Sequence, residues 1–169
     1  MAVDIPATSI FVAVTTFTPG PNNILSASLA AIHGHRRARP FMLGVASGFL
    51  VIMLLCAMLS TLLLHRLPAV APVLRVVGAL YILWLAAGVY RGSRAWLASA
   101  EAPAPPSFVQ GFALQFLNPK AIVFGLTVYT TFLAPLLARP VMGLLSAPLL
   151  ALVSLSTRAT WARAGHMVR

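Results

Sequence analysis

Residues 41–64 read FMLGVASGFLVIMLLCAMLSTLLL, an apolar run without a single charge. A helix needs about 20 such residues to cross a hydrocarbon core about 30 Å thick. This run therefore reads as a membrane span. Composition carries the same reading to the rest of the chain. Of 169 residues, 60% are hydrophobic and 8% charged, whereas soluble domains are about a quarter charged. So few charges cannot keep a surface wet, and lipid must be the solvent for much of it. The formal charge of +10 arises because only Asp4 and Glu101 oppose twelve Lys and Arg. The basic residues cluster between apolar runs instead of lining one polar face, which argues against a nucleic-acid partner.

Working outward gives five spans: 5–31, 41–64, 72–90, 108–137 and 141–168. No positively charged stretch precedes the first run, so it reads as a retained span, not a cleaved signal. The connections at 33–40 (HGHRRARP) and 91–107 are basic, and the second holds APAPPS, the one linker-like stretch. The N-terminus carries no Lys or Arg. The positive-inside rule then predicts a periplasmic N-terminus and cytoplasmic basic loops. The expected fold class is all-α, a polytopic transmembrane helix bundle in one membrane domain. It divides into a three-helix repeat at 1–90, a cytoplasmic linker at 91–107 and an incomplete second repeat at 108–169.

The first and fourth segments are too long for one straight crossing, and each contains a proline break beside asparagine: TPGPNN at 18–23 and LNPK at 117–120. Proline deletes a backbone donor and clashes with the preceding turn. Gly20 is expected to supply freedom for a sharp bend. Both helices are thus expected to be broken. Backbone groups freed at membrane depth must face protein or a watery cavity. Matched breaks in two halves of a transporter point to its binding site. A half-helix beginning there offers free N–H groups and a favourable dipole to an anion. Asn22 and Asn23 are candidates to cap it and to bind substrate. The competing reading is a pair of kinks that serve only packing. Lys120, the only lysine, either holds a substrate carboxylate or reaches back to the headgroups.

The stretches TPGPNNIL (18–25), GHRR (34–37), GVASGFLVIMLLCA (44–57), VVGALYILWLA (76–86), FALQFLNPKAIVFG (112–125) and WARAGH (161–166) resemble the LysE/RhtB family of amino-acid exporters. Within it, the chain is most similar to the cysteine/O-acetylserine exporter type. The resemblance spans nearly the whole chain. It implies proton-driven efflux of small amino acids across the bacterial inner membrane. The family's site maps onto Pro19, Gly20, Pro21 and Asn22 at the first break, and onto Asn118, Pro119 and Lys120 at the second. Gln115, one turn before Asn118, is a further polar candidate; a helix–helix hydrogen bond is the other reading for it. Two departures stand out. No carboxylate falls at membrane depth to carry a proton, and Arg158 and Arg163 sit in a segment that is usually apolar or small in the family.

The two breaks are offset by about 97 residues, which suggests a three-plus-three inverted arrangement. By that count the partner of the third helix would begin near residue 169, so five of an expected six spans are present. A non-transporting membrane protein, whether a degraded exporter or an interaction subunit, is accordingly the alternative to an exporter. Nothing points to an enzyme, a metal or a cofactor. His33 and His35 form an isolated pair in a basic loop, and two ligands do not make a zinc site. Gly44 and Gly48 form a GxxxG pair suited to close helix contact. Cys56 lies alone in an uncharged run and has no intrachain cysteine to bond.

Overall fold

The computed structural model describes residues 3–63, 107–137 and 139–167. The expected third span, with Arg75 and Gly78, and almost all of the linker lie outside the described residues. Every regular element within them is helical.

Helix α1, Ile5–Phe17, begins at Asp4, whose carboxylate accepts from the backbone N of Ala7 at 2.9 Å. This satisfies one of the donors left free at a helix start. Helix α2, Pro21–His33, follows after Thr18–Gly20. It ends on Gly34, whose φ of 83° lies in the left-handed region that glycine enters readily. That single residue reverses the chain into α3, His35–Leu63.

The expected loop at 33–40 is therefore corrected. Only Gly34 is non-helical, and Arg36, Arg37 and Arg39 ride on the opening turns of α3, with Pro40 inside the helix. At about 1.5 Å per residue α3 is roughly 43 Å long, enough to carry its basic start beyond the hydrocarbon.

After Ser107, a reciprocal capping box with Gln110 opens α4, Phe108–Phe116. Asn118 caps α5, Pro119–Thr127. A π-helical turn, Val128–Phe132, and the short α6, Ala134–Leu137, lead to α7, Pro140–Met167. Pro21 and Pro119 each stand first in their helices, where a missing N–H removes no helical bond. Helices α3 and α7 are long and apolar enough to cross a membrane. The α4 and α5–π pair passes the same test together, bent by 60° at its break.

Lipid offers little hydrophobic drive between helices, so close packing must hold them. Glycine permits it here. A Cβ on Gly44 would stand 2.0 Å from the Phe108 carbonyl oxygen, and one on Gly111 would stand 2.2 Å from that of Phe41. Helices α3 and α4 thus cross backbone to backbone, and Gly44 and Gly48 serve the close approach read from their spacing. Gly165 does the same for α7 against α2, its Cβ position lying 2.2 Å from the Ala27 carbonyl oxygen. Phe11 of α1 stacks on Phe124 and Phe132, with centroids 5.7 and 4.5 Å apart. Such pairs add about 0.5–1.5 kcal/mol each beyond burial. Outside, Ile10, Val14, Leu55, Val109, Leu149 and Leu152 are all more than half exposed. An apolar exterior on this scale suits a lipid surrounding.

Candidate functional site

The two proline breaks meet. Lys120 Nζ donates to the carbonyl oxygen of Thr18 at 2.6 Å. Asn22 Nδ2 donates to Gln115 Oε1, and Asn118 Nδ2 donates to the same oxygen at 3.4 Å. Residues about a hundred positions apart in sequence thereby form one polar cluster. Asn22, Asn23, Gln115 and Asn118 are all buried, Gln115 completely.

The asparagines divide the work differently from the sequence expectation. The residue at the start of α2 is Gly20, with no side-chain cap. Asn23 instead donates backward, to the carbonyl oxygens of Thr16 at 2.9 Å and Thr18 at 3.2 Å. It therefore satisfies acceptors that the end of α1 leaves open. Asn22 reaches across to α4. At the second break Asn118 does cap, accepting from the Lys120 backbone N at 3.1 Å.

Gly20 also has a different reason from the one expected. Its φ of −146° and ψ of 170° are extended and open to any residue. What glycine provides is room. A Cβ there would lie 3.1 Å from Lys120 Cδ and 3.3 Å from Nζ. The lysine stem passes over Gly20 to reach Thr18 and lines the pocket between the breaks.

An open pocket sits between these groups. Of the residues singled out from sequence, Gly20, Asn22, Asn23, Gln115, Asn118 and Lys120 line it. Pro19, Pro21 and Pro119 do not; they shape the breaks without forming the wall. Phe49 and Phe124 supply apolar wall, and Thr15 and Thr16 come from α1.

The remaining wall is one that sequence reasoning missed. Ser154, Thr157 and Arg158 of α7 face the pocket, and Arg158 is only 5% exposed. Arg158 Nη1 donates to the carbonyl oxygen of Ser154 at 2.7 Å and to its hydroxyl. The guanidinium lies 5.8 Å from the centroid of the Phe49 ring, within cation–π range. The sequence placed Arg158 only as a charge in the fifth segment that departs from the family pattern, and the structure buries it against the pocket. The available signal was the general one that intramembrane charges face the bundle interior. Arg163, one and a half turns further on, is exposed near the helix end.

Comparison with known proteins identifies the family. The LysE type translocator family matches residues 13–164. The chain is 41% identical over 155 residues to a cysteine/O-acetylserine efflux protein of Salmonella choleraesuis, covering 91% of this chain and 78% of the relative. It is 37% identical over 154 residues to the protein of that name from Klebsiella pneumoniae, and 38% identical over 154 residues to that of Escherichia coli O1:K1, with the same coverages. No solved structure matches. A helical chain with an apolar exterior, two proline breaks closing on one polar pocket, and a family match over most of its length belongs to the LysE family of translocators.

Proposed function

We propose that the chain exports small neutral amino acids or their derivatives across the bacterial inner membrane, cysteine and O-acetylserine among them. The observation that carries this reading is the meeting of the two breaks through Lys120–Thr18 and Asn22–Gln115. A pocket bounded by helix starts, amide side chains and a lysine offers donors to a carboxylate. Its aromatic wall suits a short, weakly polar side chain. The names carried by the relatives support the same substrate class.

Within this reading, the first and fourth segments are broken spans, and residues 5–168 supply five spans arranged on an inverted-repeat plan. Residues 1–90 and 108–169 are the two halves, joined by a cytoplasmic linker. Pro19, Pro21 and Pro119 hold the breaks open, and the six pocket-lining candidates contact substrate. The N-terminus is periplasmic. Its support is the gathering of basic groups at one end, where Arg39, Arg163 and His166 act on His35, as the positive-inside rule expects of a cytoplasmic face. Efflux is driven by the proton gradient, as the family resemblance implies.

The test is amino-acid release from cells expressing the chain, against cells with an empty vector. Faster release of cysteine or O-acetylserine is expected. Equal release, with the protein present in the membrane, would favour a non-transporting membrane protein.

A further inference from the structure

Two residues that line the pocket each hold a buried donor without a partner: Arg158 at Nε and Gln115 at Nε2. An N–H buried without an acceptor loses its hydration for nothing in return. A buried guanidinium without an anion is more costly still. Asp4 is the one acid among the described residues, and it caps α1. The contacts Arg158 does make, to Ser154 and over Phe49, orient it without neutralising it. Lys120 adds a second cation to the same wall, with Nζ already turned to Thr18. What the pocket lacks is an acceptor carrying negative charge.

We propose that Arg158 is a substrate-binding residue, its Nε and the Nε2 of Gln115 together receiving the carboxylate of the transported amino acid. This rests on reading the pocket as the transport site and names the group that neutralises the substrate's charge. Binding completes the hydrogen bonds of both orphaned donors and supplies the anion that Arg158 lacks. Ser154 sets the direction of the guanidinium, and Phe49 holds its face. Lys120 latches the breaks together and contributes a second positive charge to the pocket. Cationic side chains are disfavoured, because two cations and no acid among the described lining residues face them.

The test uses the full chain purified in detergent and in liposomes, with L-cysteine, 3-mercaptopropionate, cysteamine and sodium chloride as probes under reducing conditions. L-Cysteine and 3-mercaptopropionate should raise the melting temperature of the wild type; cysteamine, which lacks the carboxylate, and chloride should not. Arg158→Gln should weaken L-cysteine binding on the order of tenfold or more, as loss of a charged hydrogen bond does. Arg158→Lys should restore part of that loss while still distinguishing L-cysteine from cysteamine. Unchanged affinity in Arg158→Gln overturns the proposal, as does stabilisation by cysteamine or chloride equal to that by L-cysteine, or none by any carboxylate. Where Arg158→Gln does not fold, Arg158→Lys carries the test, and affinity equal to wild type overturns it. Arg158-dependent binding without release from liposomes would sink the export reading and leave this assignment standing.

Discussion

Lys120 donates to the Thr18 carbonyl at 2.6 Å, and so ties the start of one half-helix to the end of another, 102 residues away in sequence. The carbonyl belongs to the end of α1, where helical acceptors go unpaired. One ammonium, on a residue in the first turn of α5, therefore pairs an open acceptor at the end of α1, while Asn118 caps the start of α5 itself. Lys120→Met should leave the chain in the membrane, reduce the Thr18 carbonyl to its longer bond from Asn23 Nδ2 at 3.2 Å and lower cysteine release several-fold. Membrane abundance measured beside release checks it, and full release from Lys120→Met would make the latch dispensable.

Gly20 should tolerate no side chain without moving that latch. Its backbone is unstrained, so Gly20→Ala should insert and melt nearly as wild type, yet displace the Lys120 stem by a few tenths of an ångström. Reduced release at wild-type abundance is expected. A large fall in melting temperature instead would mean that the glycine serves the fold.

Asn22→Ala removes the donor that Gln115 Oε1 accepts most closely. Gln115 Oε1 then keeps only the longer bond from Asn118 Nδ2 at 3.4 Å, and one lost hydrogen bond costs about 0.5–1.5 kcal/mol. Helix α2 has no side-chain cap to lose here, because its cap is Gly20. Release should fall while insertion persists. Normal release would return Asn22 to a packing role.

The crossing of α3 and α4 should be the most fragile contact. Gly44→Ala would place a methyl 2.0 Å from the Phe108 oxygen, and overpacking typically costs about 1–3 kcal/mol. Because backbone, and not a mobile side-chain end, stands in the way, the helices must separate. Thermal melting of the detergent-purified protein should show a clear drop, larger than for Gly143→Ala, whose nearest neighbour is Leu137 Cδ2 at 3.5 Å.

Orientation is checked by labelling in a Cys56→Ala background. A cysteine at Arg37 should react only after the membrane is made permeable, and one near the N-terminus should react from outside. The opposite pattern would reverse the topology and leave the packing intact.

The helix ends at Phe17 and Phe116 and the fresh starts at Pro21 and Pro119 were legible in the sequence because their causes are local. Proline cannot donate, and asparagine can replace a missing backbone partner, so TPGPNN and LNPK announce themselves without any tertiary knowledge. The close helix contact was legible too, since Gly44 and Gly48 recur on one helix face. The role of each asparagine was not. Whether Asn22 caps its own helix or reaches Gln115 depends on where α4 passes. Arg158 was the larger loss. In an apolar segment an arginine reads as a cost until its facing is known, and its facing comes from α7 packing on α2 and α3. The basic stretch at 33–40 misled for a simpler reason: charge was read as a loop, although one glycine with positive φ makes the whole turn.

The contact at Gly165 carries a mechanical consequence. With the Ala27 carbonyl so near, α2 and the end of α7 have no space to slide past one another. A shift of α2 that parts Asn22 from Gln115 would therefore press directly on the end of α7, the helix that carries Arg158.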